Sequence, residues 1–162
     1  MGKPSMRRAW AAGSDLRNPL AKFVHFMSLK LCGDEREIWG IPVLVADGSS
    51  GNKMKRIEAA LFLIRERDPM RLDRLRRDLI GGIQCGMPRQ GIAWFYPQSG
   101  TCHLEPEYLE SGVSIEEIAL SIVHEATHAR LWKNGFEYEP EIRHRVELIC
   151  TRRELARIMH QT

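Results

Sequence analysis

The apolar positions of this chain change period several times, and each change marks an element. From Asn18-Pro19 towards Leu31, the residues Leu20, Phe23, Val24, Met27 and Leu31 recur at helical spacing, with Gly33 as the stop. Ile38 to Ala46 is a nearly continuous apolar run that reads as one strand or two, although Pro42 bars a central ladder position. Asp47-Gly48-Ser49-Ser50-Gly51-Asn52 is turn chemistry and the natural internal joint. Helical spacing returns between Lys53 and Arg67 through Met54, Ile57, Ala60, Leu61 and Ile64. Asp68-Pro69 ends that helix and opens another, with Asp68 as N-cap and Met70, Leu72, Leu75, Leu79 and Ile80 leading to the Gly81-Gly82 break.

Between Gly82 and Gly112 the pattern becomes that of strands. Ile92-Ala93-Trp94-Phe95-Tyr96 is aromatic and branched, Gln98-Ser99-Gly100 is a turn, and Thr101-Cys102-His103-Leu104 is a return strand, so a hairpin is expected. Neighbours on a strand face opposite sides, so Cys102 and His103 are expected to be structural rather than one joint site. Ser114 then reads as an N-cap and Glu117 as its capping-box partner. Ile115, Ile118, Ala119, Ile122, Val123, Ala126 and Ala129 make the following helix unusually apolar. Lys133-Asn134-Gly135 stops it, with Asn134 or Gly135 left-handed. After a connection from Phe136 to Pro140, a last helix runs from Glu141 to about Met159 on Ile142, Val146, Ile149, Cys150, Ala156 and Met159.

Composition narrows the class without choosing a function. The 162 residues make one domain of ordinary size, read as an N-terminal extension over 1–50 and a core over 53–162. A formal charge of +3 favours nucleic acid or an anionic surface only weakly. Arg71, Arg74, Arg76 and Arg77 are interrupted by Asp73 and Asp78 and carry no interleaved aromatic side chains, so they read as a solvated face. Cys32, Cys85, Cys102 and Cys150 are widely spaced with no C-x-x-C pair, and Met1 to Trp10 is polar and basic. Four thiols in a reducing, cytoplasmic setting are therefore expected, with no membrane span.

The chemistry lies in the apolar helix. His124-Glu125-Ala126-Thr127-His128 reads H-E-x-x-H. Positions i and i+4 share a helix face, so both imidazoles can bind one Zn²⁺, while Glu125 projects about 100° away and can meet a water without ligating the metal. The apolar surroundings place both histidines in the interior or on a cleft floor, where two imidazoles need partners that a shared ion supplies. A third ligand has to come from the last helix, because position 134 is Asn and the longer three-histidine pattern is missing. Glu141, His144, Glu147 and Glu154 are the candidates. Glu147 leads, nineteen residues after His128 and flanked by Val146 and Leu148.

On these residues the last seventy or so positions resemble the gluzincin-type zinc metallopeptidases, which carry H-E-x-x-H on one helix and a glutamate on a later one. Ala126, Thr127 and Ala129 fit the stricter signature, whereas Arg130 departs from it and Thr151 stands where an acidic residue is usual in thermolysin-like enzymes. The resemblance implies an α+β, zincin-like fold with a small, mostly antiparallel sheet packed on the His124–His128 helix and on a glutamate-bearing C-terminal helix. It implies Zn²⁺ on His124, His128 and Glu147, and Glu125 as general base in amide hydrolysis. A peptide substrate would lie extended along part of residues 92–104, and Tyr138, His144 and Arg145 are open candidates for the oxyanion donor. The alternative is a zincin-like binding or regulatory protein with a structural metal or none; retention of Glu125 favours the enzyme.

Overall fold

The computed structural model describes residues 33–46, 50–86, 91–136 and 142–158, the side chains of 50 and 153–158 excepted. Its strands are β1 (Asp34–Ile38), β2 (Ile41–Val45), β3 (Gly82–Cys85), β4 (Ala93–Tyr96) and β5 (Thr101–Leu104). Its helices are α1 (Ser50–Arg67), α2 (Pro69–Asp78), α3 (Pro106–Glu110), α4 (Ile115–Lys133) and α5 (Arg143–Ile158). The fold is α+β. The helix expected from Asn18 to Leu31 lies outside the described residues.

The strands form one five-stranded sheet in the order β1-β2-β3-β5-β4. It is mixed, which corrects the expectation of a mostly antiparallel sheet: β1–β2 and β4–β5 are antiparallel, whereas β2–β3 and β3–β5 are parallel. The cause is topological. The chain crosses from β2 to β3 through α1 and α2, and a helical crossover returns a strand parallel to its neighbour. It then runs to the edge as β4 before folding back, so β5 enters between β3 and β4. β1 and β2, from the stretch read as an N-terminal extension, belong to this same sheet.

β1 is a charged edge strand that hydrophobic patterning does not reveal; Asp34, Glu35, Arg36 and Glu37 carry the charge, the kind of edge that resists pairing with another chain. It joins β2 through Trp39-Gly40, with φ of 47° and 75°, the pair of positive values that a two-residue hairpin turn requires. Pro42 does sit in an inner strand. Alternation from that turn makes Glu37–Pro42 the pair without hydrogen bonds, and pairing of β2 to β3 begins only at Val43, so the missing N–H is not needed. Gly82 opens β3 at φ 75°, and a Cβ there would lie 2.0 Å from the Pro42 carbonyl oxygen.

Local signals set the helix ends. Asp68 caps α2 by accepting from the Arg71 N–H at 3.1 Å. α1 starts at Ser50, so the expected turn at Ser50-Gly51-Asn52 is already helical. The capping box opens α4: the Ser114 N–H donates to Glu117 Oε2 at 3.0 Å, and the Glu117 N–H donates to Ser114 Oγ at 3.2 Å. At its other end Gly135 is left-handed (φ 80°), and Gly135 and Phe136 donate to the Trp132 and Leu131 carbonyls, a Schellman closure. α4 packs against α1, α2 and α5 and on β4 and β5. Ile118, Ala119, Ile122, Val123 and Ala129 fill the core beneath it together with Ile57, Leu61, Leu75 and Leu104. A helix buried on so many sides holds its side chains in fixed positions.

Candidate metal centre

The site is built where α4, α5 and the edge strand β4 meet. His124 and His128 stand one turn apart on α4 with their Nε2 atoms 3.0 Å from each other. Glu147, from α5, reaches across: one carboxylate oxygen lies 3.2 Å from His124 Nε2 and the other 3.8 Å from His128 Nε2. A tetrahedral ion with bonds of about 2.0–2.1 Å to nitrogen and oxygen sets its donors roughly 3.3 Å apart. Two separations fall within a few tenths of an ångström of that edge and the third about half an ångström beyond it; because each carboxylate oxygen faces a different histidine, Glu147 is close enough to share a small cation with the pair once one oxygen turns towards both.

The surroundings divide the motif by exposure. The histidine side chains are part-exposed, at 20% and 13%, on the floor of a cleft of about 680 Å³, while Glu125 is buried at its base. Ile92, Trp94 and Phe95 form one wall of the cleft, and Leu120, Leu131 and Val146 contribute the helical side. Among the described residues, β4 has a sheet neighbour on one side only, β5. Ser121 also lines the cleft; its Oγ donates to the Glu117 carbonyl at 3.0 Å and lies 3.0 Å from the Tyr108 hydroxyl. Burial raises the Tyr108 hydroxyl above its ordinary pKa, and the Ser121 contact partly offsets this.

The expected residues meet different fates. His124, His128 and Glu147 converge, and Glu125 joins them in the same cleft. His144 and Arg145 are exposed and do not line it. Tyr138, Glu141 and the Glu154 side chain lie outside what is described. Cys102 and His103 do face opposite ways. The Cys102 thiol is fully buried, its pKa raised well above normal by desolvation first and by the Glu125 charge second. His103 instead stacks on Trp94, with ring centroids 5.3 Å apart and planes 4° from parallel.

Two residues escaped the sequence reading. Arg143, at the start of α5, is the one fixed positive charge among the described cleft-lining residues. Cys150 is fully buried, and its Sγ and one ring nitrogen from each of His124 and His128 all lie within 4.8 Å of one another. Its signal was present as i+3 spacing from Glu147, which puts both side chains on one face of α5.

Three of the four arginines of α2 are engaged within the fold. Arg71 pairs with Asp68 at 3.2 Å, Arg76 pairs with Asp73 at 3.0 Å and donates to the Trp39 carbonyl, and Arg77 donates to the Asp73 carbonyl at 3.3 Å. No helix among the described residues is long and apolar enough to cross a membrane. In comparisons with known proteins, the chain matches no family model, no curated protein and no solved structure.

Proposed function

We propose that this protein is a zinc-dependent metallopeptidase of zincin-like fold, resembling the gluzincins. The observation that carries the reading is the convergence of His124 Nε2, His128 Nε2 and the Glu147 carboxylate at 3.0–3.8 Å, with a separate carboxylate, Glu125, beside them in the same cleft. His124, His128 and Glu147 hold the ion. When bound, Zn²⁺ supplies Lewis acidity, polarising an amide carbonyl and acidifying water.

The other roles fall to the chain's own side chains. Glu125 accepts the proton of the attacking water and delivers it to the departing nitrogen; its burial beside Cys102 holds the carboxylate in a low-dielectric setting. The edge of β4 offers backbone N–H and C=O groups to an extended peptide, which aligns the amide with the cleft floor. The apolar walls at Phe95, Leu120 and Val146 receive an apolar substrate side chain. Arg143 supplies a cationic donor for the developing oxyanion or for a substrate carboxylate.

The deciding experiment is metal analysis of protein purified without a metal-binding tag, coupled to a peptide-library cleavage screen. One zinc per chain together with cleavage that Glu125→Gln abolishes supports the enzyme. One zinc without cleavage supports the second reading, a binding or regulatory domain with a structural ion, which the buried thiol of Cys150 beside both histidines favours.

A further inference from the structure

We propose that Cys150 is itself a donor to the ion, so that the centre has four protein ligands: His124, His128, Glu147 and the Cys150 thiolate. The inference rests on the reading that both histidines bind metal, but not on any activity.

Three observations lead to it. The Cys150 Sγ and one ring nitrogen of each histidine form a group no wider than 4.8 Å. Tetrahedral zinc with about 2.3 Å to sulfur and about 2.0–2.1 Å to nitrogen sets S and N roughly 3.6 Å apart. The widest separation in the group exceeds that spacing by about 1.2 Å, a gap that metal binding would close by drawing the cysteine and histidine side chains together. Secondly, Glu147 and Cys150 are spaced i, i+3 on α5, so one helix face presents a carboxylate and a sulfur to the same histidine pair. Thirdly, the two differ in access. The Glu147 side chain is 39% exposed and lines the cleft, whereas Cys150 is fully buried and does not line it.

The chemistry follows from that asymmetry. A thiolate in an apolar interior is costly by itself and forms when a cation compensates it, so metal entry and loss of the thiol proton are coupled. Sulfur from the inside and carboxylate from the cleft, joined to two neutral imidazoles, balance the ion's two positive charges. Glu147 is then the ligand that yields to water or substrate, while Cys150 anchors. A thiolate among imidazoles also tilts the site towards Zn²⁺ and Co²⁺ and away from Mg²⁺ and Ca²⁺. Cys102 is a natural control: it is equally buried, yet it lies beside Glu125 and is not part of the histidine group.

The test is the ultraviolet–visible spectrum of full-length protein titrated with Co²⁺. The expected result is one Co²⁺ per chain with a strong thiolate-to-cobalt charge-transfer band in the near ultraviolet. The band is lost in Cys150→Ser and kept in Cys102→Ala, and Zn²⁺ affinity falls at least about 10-fold in Cys150→Ser. If Cys150→Ser does not fold, the variant with Cys32, Cys85 and Cys102 replaced by alanine isolates Cys150 as the single thiol, and the band must persist there. Bound Co²⁺ with visible ligand-field bands but no charge-transfer band overturns the thiolate while leaving the metallopeptidase reading intact. A band that depends on Cys102 instead also overturns it. Failure to bind Co²⁺ or Zn²⁺ at all overturns both.

Discussion

The Nε2 atoms of His124 and His128 face each other 3.0 Å apart, slightly closer than the edge of a tetrahedral metal site. Each can accept a metal only as a neutral imidazole, so protons and metal compete for the same pair of atoms. Metal affinity is therefore expected to be greatest at neutral pH and above and to weaken progressively as acid is added, with the metal released at a pH set by its affinity. Metal analysis after equilibration in chelator-free buffers checks this. His124→Ala removes one corner of the donor set, and less than a tenth of a zinc equivalent is expected to survive dialysis. Glu147→Ala is milder and weakens affinity by more than the roughly 10- to 100-fold lost when a group supporting a ligand is removed.

On the proposed reading, Glu125 separates binding from chemistry. It projects from the same helix as the histidines but off their shared face, and it is buried at the cleft base. Replacing its carboxylate by an amide keeps the shape and removes the proton acceptor. Glu125→Gln is expected to bind zinc like the wild type and to lose at least about 100-fold in kcat, the usual contribution of a positioned general base. Paired metal analysis and peptide-cleavage kinetics check it, and a fully active variant excludes Glu125 as base.

At the start of the same helix, the Ser114–Glu117 capping box makes a prediction about acid. The Glu117 carboxylate has a pKa below its ordinary 4.5, first because the Ser114 N–H donates to it and second because of the Ser114 hydroxyl. A folded pKa below the unfolded one means that the native state prefers the charged form. The contribution is fully present above the unfolded value and is lost as pH falls through the lower folded value. Glu117→Gln is thus expected to flatten the stability profile between those two values. Ser114→Ala, which removes the cap, is expected to cost about 1 kcal/mol near neutrality. Urea denaturation across the acid range measures both.

The difference between what local sequence reveals and what it hides follows the range of the interactions. α4 was legible at both ends because its signals, Ser114 to Glu117 and Asn134-Gly135, act within one turn. The β4–β5 hairpin was legible for the same reason. The parallel pairing of β2, β3 and β5 was not, because it depends on α1 and α2 crossing the sheet and on β4 moving to the edge, and neither leaves a local mark. β1 was hidden because its charged residues are an edge-strand device rather than a hydrophobic pattern. At the site, Glu147 could be singled out by its distance from His128 and its apolar flanks. Cys150 was absorbed into the apolar spacing of α5, where a buried thiol and a core residue look alike.

The tight contact between Gly82 and Pro42 tests the topology itself. Gly82 combines φ 75° with a virtual Cβ 2.0 Å from the Pro42 carbonyl oxygen, so alanine there meets both backbone strain and a clash with backbone that cannot swing aside. Gly82→Ala is expected to destabilise the fold by at least about 2 kcal/mol. Gly51→Ala, at a position with nothing within 4 Å of the added carbon, is expected to be neutral or stabilising. Thermal or urea denaturation of the pair distinguishes them, and equal stabilities would mean that β3 does not run beside Pro42.

The final prediction concerns how a peptide is held. β4 pairs through Ala93–Tyr96 with β5 on one side, and its residues Ala93, Trp94 and Phe95 line the cleft above the histidines. An extended substrate added to that edge is held chiefly by main-chain hydrogen bonds, which do not depend on its side chains. N-methylation of a substrate amide that faces β4 removes one donor and adds bulk in the plane of the sheet. Each such change is expected to raise KM several-fold, on the order of 1 kcal/mol per hydrogen bond. The same methylation on the outward-facing amides is expected to leave KM nearly unchanged, so sensitivity should alternate with a period of two along the peptide. A scan of singly N-methylated substrates measures this directly. Uniform sensitivity, or none, would exclude pairing of the substrate with the β4 edge.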